Sequence, residues 1–432
     1  MKAYIMAGGF GTRLSELTKN EIPKPMIKMC GKSLLERAIL SLKENGITEF
    51  IISVSFMAEK ITEYFKNGKK FGVKIEYIYE KEPLGSGGAL YFLKGKVDKT
   101  FVICSADTIF DIDISKMLAF HKKKKAIATL FTHPNIHPYD SDIILTDKYF
   151  RVKNILSKNL NREGYYKNNV NAGFILLEPS ALDKLQNPKK MNLENDFIKG
   201  LIDDGERVYA YKSTEYIKDV GSPERFYLVE KEVQKGLPNI RSYVNKQKAI
   251  FIDRDGTINK YKGFINSHEQ IELMDTVIEG IKKINQSEYL AIVISNQPVI
   301  ARGEASFSDV DKTFDKIETL LGLEGAFLDA IYYCPHHPDS GFKGEVKRLK
   351  RVCNCRKPNI GLIEKAVKEY NLDISKCFII GDSNVDVLTG INAKIPQIKI
   401  KSELMEKISV EPTHYADTFI EAVEKIFNFD KT

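Results

Sequence analysis

Two carboxylates one residue apart, Asp253 and Asp255, stand at the exit of the apolar run Ala249-Ile250-Phe251-Ile252. Strand side chains alternate with a period of two, so both carboxylates point to one side if the extended geometry persists. The crevice beyond the carboxyl ends of such strands is where open α/β sheets bind ligands. Gly256 and Thr257 then turn the chain away. Further on, Ser295 and Asn296 end a second apolar run, and Arg356-Lys357 precedes Pro358. A third run ends in Gly381-Asp382, with Asp386 on the segment that follows. Each of these groups falls at a strand or helix edge. Between these motifs lie Cys334-Pro335-His336-His337 and Cys353-Asn354-Cys355. Three thiolates and an imidazole suit a closed tetrahedral Zn²⁺ site of Cys334, His336, Cys353 and Cys355, with His337 the weaker candidate.

The first half of the chain offers amides and cations rather than a nucleophile. Residues 2–7 read as a strand that runs into Gly8-Gly9-Phe10-Gly11-Thr12-Arg13-Leu14. Gly8, Gly9 and Gly11 let backbone N–H groups approach a phosphate, and Arg13 and the Lys24 of Pro23-Lys24-Pro25 add positive charge. A second glycine-rich stretch begins at Gly85, and the buried run Phe101–Ala106 ends at Asp107. The Gly-x-x-x-x-Gly-Lys-Ser/Thr phosphate loop is missing, which argues against a P-loop ATPase.

The elements that must position these groups alternate strand and helix in both halves, so the expected class is α/β. Ser33 with Glu36 predicts a capping box ahead of an amphipathic helix over 34–43, closed by Gly46, and 47–55 reads as the next strand. The helical pattern breaks at Gly236-Leu237-Pro238-Asn239, and the β-α rhythm restarts beyond the polar Lys246-Gln247-Lys248. This predicts domains at 1–235 and 248–432 joined by a linker at 236–247, with a zinc loop at 332–357. At 432 residues, two domains are the natural expectation. Charged residues make up 28% and hydrophobic ones 43%, as in a globular protein, and no apolar run approaches a membrane span. A cytoplasmic location is expected, with no membrane or nucleic-acid partner. The net charge is +7, and the one lysine run, Lys122 to Lys125, reads as a solvated helix end. Six cysteines, three within a short segment, suggest metal rather than disulfides in a reducing compartment.

The ordered set of glycine loop, Arg13 and Pro23-Lys24-Pro25 resembles the opening of sugar-phosphate nucleotidyltransferases, and the likeness spans residues 1 to about 235. It implies a glycosyltransferase-A-like domain that transfers a nucleoside monophosphate from an NTP to a sugar 1-phosphate. Nucleotide contacts then fall to Gly8, Gly9, Gly11, Thr12, Arg13, Lys24 and Gly85, and Mg²⁺ to Asp107 and Asp219. Sugar contacts fall to Asn171, Gly173, Glu194 and the guess Lys158. Ala106 stands where that family usually has glycine. In the second half, Asp-x-Asp-Gly-Thr, then Ser, Lys and Gly-Asp-x-x-x-Asp resemble the haloacid-dehalogenase phosphatases. The resemblance makes Asp253 the nucleophile, Asp255 the general acid and base, and Ser295, Asn296, Arg356 and Lys357 the phosphate binders. It gives Mg²⁺ to Asp253, Asp382 and the Asp255 carbonyl, with Asp386 supporting them. Both domains are then Rossmann-like and three-layered.

The cysteine loop resembles the heptose 1,7-bisphosphate 7-phosphatases and the related histidinol-phosphatases. Pro298-Val299 replaces their Ser-Gly ahead of Ile300-Ala301-Arg302-Gly303, and Ser383 replaces a common lysine. Together the halves resemble the phosphatase of the nucleotide-heptose pathway fused to its guanylyltransferase, which implies heptose bisphosphate, heptose 1-phosphate and GTP as ligands. Another sugar with UTP, CTP or dTTP, a histidinol-phosphate phosphatase half, and a non-enzymatic sugar-phosphate sensor stand as alternatives. Oligomeric state is open, homo-oligomer included.

Overall fold

A computed structural model describes residues 1–9, 11–159, 161–401 and 409–429; Phe10 of the first glycine loop and the residues after 429 lie outside them. The chain forms two compact units. One takes Met1–His133, Ser141–Leu160 and Asn169–Val244; the other takes the chain from Asn245 onward, with Pro134–Asp140 and Asn161–Asn168 from earlier in the sequence. No helix among the described residues is long and apolar enough to cross a membrane.

The first unit contains β1 (Lys2–Met6), β2 (Glu49–Val54), β3 (Lys74–Tyr79), β4 (Phe101–Ser105), β5 (Thr108–Asp111), β6 (Ala128–His133), β7 (Ile143–Thr146), β8 (Val152–Leu156), β9 (Val170–Leu177), β10 (Val208–Lys212) and β11 (Tyr216–Asp219). A mixed sheet runs β8-β7-β9-β4-β1-β2-β3, with β6 joining β9 to β10, while β5 and β11 form a separate ribbon. β1 is parallel to both β2 and β4, so the loops after β1 and β4 open at the same edge. That puts the first glycine loop beside Asp107. The helix Leu34–Glu44 buries Leu34, Leu35, Ala38, Ile39 and Leu42. Ser33 Oγ accepts from Glu36 N at 3.2 Å, which is half of the expected capping box.

The second unit is a six-stranded sheet, β14-β13-β12-β15-β16-β17, built from β12 (Lys248–Ile252), β13 (Tyr289–Asn296), β14 (Ala330–Cys334), β15 (Phe378–Gly381), β16 (Gln397–Ile400) and β17 (His414–Ala416). Every neighbouring pair is parallel. Parallel strands bury both faces, which is why β12 reads as a continuous apolar run: Ala249, Ile250, Phe251 and Ile252 are all fully buried. Each such large side chain contributes about 1.5–3 kcal/mol relative to exposure. The same parallelism sets every strand's carboxyl end on one edge. With Ile252 opposite Val293 and Ile380, the residues Asp253, Ser295 and Asp382 emerge together.

The segment 236–247, expected as a linker, contains the short helix Leu237–Ile240 and the buried Tyr243. Tyr243 Oη accepts from Thr214 N at 3.0 Å, tying this segment to the first unit. Glu194, expected at the sugar, lies inside a π-helical turn, Leu193–Ile198.

Candidate active sites

In the second unit, Asp253 follows β12, Lys357 follows the cysteine loop, and Asp386 sits in the first turn of the helix Asn384–Ala393. Lys357 Nζ lies 2.7 Å from Asp253 Oδ1 and 2.6 Å from Asp386 Oδ1, and its residue is 5% exposed. Burial alone would lower the Lys357 ammonium, but the Asp253 and Asp386 carboxylates raise it. Burial first, then Asp386, raises the Asp253 carboxyl despite Lys357, with Asp382 and Asp255 adding to the effect. Single oxygens of Asp253, Asp382 and Asp386 come within 4.8 Å of one another. Three carboxylates against one ammonium leave room for two positive charges, which a divalent cation with hard oxygen ligands would supply. Gly256 completes the turn at a φ of +79°, and a Cβ there would come within 2.1 Å of Asp382 Oδ2. Only glycine fits that closeness and that backbone.

Asp255 is held more firmly than its sequence position suggests. Its Oδ1 accepts from Arg254 Nε at 3.0 Å and Asn259 Nδ2 at 3.1 Å. Its Oδ2 accepts from Arg254 Nη2 at 2.8 Å and Gln297 Nε2 at 3.1 Å. Arg254 is fully buried, bonded to Thr313 Oγ1 at 2.9 Å and stacked on Phe314. Sequence reasoning missed Arg254, Asn259 and Gln297. Gln297 could have been found, since it follows Ser295 by one strand period and shares its face. Gln297 Nε2 also donates to Ser295 Oγ at 2.8 Å, leaving the Ser295 hydroxyl proton for another acceptor.

Asn296 behaves differently from the phosphate binder expected of it. Its Nδ2 donates to the Lys357 carbonyl at 3.1 Å and its Oδ1 accepts from Lys357 N at 3.0 Å. Its carboxamide is thus committed to holding Lys357. Arg356 donates through Nη1 to the His336 carbonyl at 3.2 Å. Asp253, Asp255, Ser295, Asn296, Arg356, Lys357 and Asp382 all line one cavity of about 260 Å³, which Tyr261 and Phe264 flank.

The cysteine loop gathers its four donors. Cys334 Sγ lies 3.5 Å from Cys353 Sγ, and Cys355 Sγ lies 3.3 Å from each of the other two sulfurs. His336 Nδ1 is 3.3 Å from Cys355 Sγ and 3.6 Å from Cys334 Sγ, so Nδ1 is the nitrogen that faces the thiols. All six cysteines are free thiols. These spacings sit near the roughly 3.8 Å edge of a tetrahedron with Zn–S bonds of 2.3 Å, so the donor set fits zinc. His337 is not among the gathered donors: its Nδ1 accepts from Asp339 N at 3.2 Å, and its ring meets Phe342 edge-on at 5.8 Å.

In the first unit, Gly9, Gly11, Thr12, Arg13, Lys24, Ala106, Asp107 and Gly221 line a cavity of about 200 Å³. Gly11 has a φ of +64°, and a Cβ there would press on Lys24 Cβ at 2.8 Å. Lys24 Nζ is ion-paired with Asp107 Oδ2, and Ser105 Oγ donates to Oδ1. Burial would raise the Asp107 carboxyl, but Lys24 and Ser105 hold it below its ordinary value. Val220 N donates to the Asp107 carbonyl at 3.0 Å, which sets Asp219 on the strand beside Asp107. Asp219 pairs with Arg225 Nη1 at 3.0 Å, a cation that sequence reasoning missed. Gly8 and Gly85 do not line this cavity. Gly8 abuts Glu80, and Gly85 packs against the Met191 carbonyl.

The residues expected at the sugar gather around Asp142, which sequence reasoning did not single out. Lys158 N donates to Asp142 Oδ1 at 2.9 Å, and Asn195 Nδ2 approaches Oδ2 at 3.4 Å. Asn171 Nδ2 donates to Glu194 Oε1 at 3.3 Å. Burial, then the Asp142 charge, raises the Glu194 carboxyl. Gly173 takes a φ of +68° where β9 slips register between Asn171 and Ile175.

Comparison with known proteins adds family context. The Nucleotidyl transferase family model matches residues 2–236, and the HAD-hydrolase-like model matches 354–422. The D-glycero-alpha-D-manno-heptose-1,7-bisphosphate 7-phosphatase of Photorhabdus laumondii is 40% identical over 153 residues, 35% of this chain and 81% of that protein. A UTP–glucose-1-phosphate uridylyltransferase of Synechocystis is 29% identical over 256 residues, 56% of this chain and 66% of that protein. A mannose-1-phosphate guanylyltransferase of Mycobacterium tuberculosis is 28% identical over 250 residues, 57% of this chain and 68% of that protein.

Proposed function

The chain belongs to the nucleotidyl transferase family through its first half and to the heptose-1,7-bisphosphate 7-phosphatases through its second, and from that premise we propose that it is a bifunctional enzyme of nucleotide-activated heptose synthesis. Its second unit removes the 7-phosphate of D-glycero-D-manno-heptose 1,7-bisphosphate. Its first unit then transfers GMP from GTP to the resulting heptose 1-phosphate, giving GDP-heptose and pyrophosphate. The observation that carries this reading is the pairing on one chain of a supplier and a consumer of the same sugar 1-phosphate.

In the phosphatase step, an Asp253 carboxylate oxygen attacks phosphorus as the bond to the sugar oxygen breaks. Asp255 gives its proton to the departing alkoxide. It then takes a proton from the water that cleaves the aspartyl-phosphate, so phosphate leaves and both aspartates are restored. Lys357 and the Ser295 hydroxyl hold the phosphoryl oxygens, and Asn296 fixes Lys357 by its backbone. Asp253, Asp382 and the Asp255 carbonyl would hold Mg²⁺, with Asp386 beside them; the ion supplies charge neutralisation at the phosphate. Cys334, His336, Cys353 and Cys355 would hold a structural Zn²⁺ that fixes the loop bearing Arg356 and Lys357.

In the transfer step, an oxygen of the sugar 1-phosphate attacks the α-phosphorus of the NTP in line, and pyrophosphate departs. No covalent enzyme intermediate is needed, because positioning and charge stabilisation carry such chemistry. The amides of Gly9 and Gly11 face the phosphates. Lys24 and Arg225 are the present counterions of Asp107 and Asp219, the two carboxylates that would hold Mg²⁺. Lys24 is thereby poised to turn from Asp107 to the nucleotide phosphates. Asn171, Gly173, Glu194 and Lys158 face the sugar. Six free thiols suit a reducing cytoplasm.

The test is order of release. Given heptose 1,7-bisphosphate, GTP and Mg²⁺, the protein is expected to release phosphate before pyrophosphate and to accumulate GDP-heptose. Asp253→Asn is expected to stall on bisphosphate yet work on added heptose 1-phosphate. Sugar nucleotide made from bisphosphate at the wild-type rate by that variant would refute the order. The similarity to a UTP–glucose-1-phosphate enzyme favours one second reading, a different base and sugar at the first unit. Assaying pyrophosphate release with all NTPs against heptose, mannose and glucose 1-phosphates decides between them.

A further inference from the structure

Arg302 ends the short helix Val299–Arg302 in the second unit. Its guanidinium carbon lies 4.3 Å from the ring centre of Phe264 and 4.1 Å from that of Phe342, so one cation serves both rings. Its Nε donates to Glu304 Oε1 at 2.7 Å, which fixes the plane. The two rings belong to different structures. Phe264 lines the phosphatase cavity next to Tyr261 and is 51% exposed. Phe342 sits in the cysteine loop, edge-on to His337 and with Lys350 Nζ 4.5 Å from its ring. The backbone around Arg302 is bound to the same loop. Val346 N donates to the Ala301 carbonyl at 2.9 Å, and a Cβ on Gly303 would come within 1.9 Å of the Gly344 carbonyl oxygen.

A planar guanidinium can present a face to two rings while a fork nitrogen keeps a carboxylate; a lysine ammonium, a hydrated point charge, cannot replace it in that stack. Phe264 is about half exposed, and the Arg302 guanidinium meets its ring. The cysteine loop, itself tethered through Phe342 and Val346, is the fixed end of the row. We propose that Arg302 is a positioning residue for substrate selection: it anchors Phe264 to the cysteine loop, so that the rim aromatic stands ready to pack against the sugar of a sugar phosphate. This rests on the sugar-bisphosphate reading of the cavity. It assigns Arg302 no contact with the reacting phosphate.

The experiment uses the full chain with Mg²⁺ and Zn²⁺. Arg302→Met and Phe342→Leu are each expected to raise KM for heptose 1,7-bisphosphate about tenfold, the equivalent of losing one good cation–π stack, with kcat changed less than about threefold. KM for p-nitrophenyl phosphate, which brings no sugar to the rim, is expected to stay within about twofold. Phe342→Tyr, which keeps the ring face, is expected to retain the wild-type KM, and Arg302→Lys to resemble Arg302→Met. Zinc content and the second unit's melting transition verify folding of each variant. Amide hydrogen exchange at 261–265 is expected to speed up in Arg302→Met, and this readout needs no substrate. Unchanged exchange, a KM rise shared equally by both substrates, or restoration by Arg302→Lys would overturn the proposal. Faster exchange with a wild-type enzyme inert toward the bisphosphate would overturn the substrate reading and leave the anchor standing for another sugar phosphate.

Discussion

Lys357→Met tests the electrostatic design of the phosphatase site. The substitution keeps the length of the stem and removes the ammonium that lies between Asp253 and Asp386. Both carboxylates and Asp382 are then left together in a region where Lys357, Asp382 and Asp386 are at most 5% exposed. Removing one partner of a buried, hydrogen-bonded ion pair costs about 3–5 kcal/mol, because the remaining charge has lost its compensation. The second unit is therefore expected to lose about that much stability in chelator, measured by urea unfolding. Adding Asp386→Asn removes one of the stranded charges and is expected to return at least about 1 kcal/mol, a coupling that a double-mutant cycle reads directly. Phosphate release from the bisphosphate is expected to fall at least about 100-fold, since a positioned cation at a reacting phosphate is worth that much. Nucleotidyl transfer to added heptose 1-phosphate is expected to be unchanged. A coupling below about 0.5 kcal/mol, or turnover within a few-fold of wild type, would refute the reasoning.

Lys24→Ala and Asp107→Ala, made separately, are expected to cut transfer about 100-fold or more while leaving phosphatase turnover intact, checked by pyrophosphate and phosphate release from one preparation. Cys353→Ser is expected to lose the single zinc and to destabilise the second unit, as metal analysis and melting of protein purified without chelators will report. Glu215, buried on the first unit, has its carboxyl raised by burial from 4.5 to about 7 even though it accepts from Asp113 N, Tyr243 N and Ser213 Oγ. The folded state thus binds this proton more tightly than the unfolded chain. Its contribution is complete below about pH 4.5 and is lost as pH rises through about 7, up to about 3 kcal/mol in all. Glu215→Gln is expected to flatten that slope in the first unit's urea midpoint between pH 4.5 and 7; an unchanged slope would remove Glu215 as its source.

How far the sequence could be read depended on the range of the interaction. Ala249 to Ile252 announce a strand buried on both faces because the apolar run is local, and parallel pairing then carries Asp253, Ser295 and Asp382 to one edge. The gathering of Cys334, His336, Cys353 and Cys355 was legible because ligand chemistry constrains both residue type and spacing. Arg254 was not, since a charged residue between two aspartates gives no local sign of complete burial; its partners Thr313 and Phe314 are about sixty residues away. Asp142 and Arg225 were hidden for the same reason: an ordinary acid and an ordinary base acquire meaning only from what the fold sets beside them. Asn296 was read as a ligand contact from its place after Ser295, yet its carboxamide is engaged by a backbone that only the tertiary structure brings near. The stretch 236–247 reads as a linker because Gly236 and Pro238 interrupt the helix; that composition gives no sign of the buried Tyr243.

The discontinuity of the second unit bears on how the chain can be made. Pro134–Asp140 and Asn161–Asn168 leave the ribosome long before residue 245 does, yet they belong to the later unit. Thr319 Oγ1, on the helix Phe307–Leu323, accepts from Tyr166 N at 2.9 Å. Until that helix has been synthesised, Tyr166 N lacks this acceptor, and Pro138 lacks the surface at Gly322 on which it packs. Synthesis therefore ends with two early segments being claimed by late-made structure, rather than with two beads closing one after the other. A chain cut after Val244 would keep both segments and lose their partners, so the cut that a linear reading of the sequence invites is not a clean division of this protein.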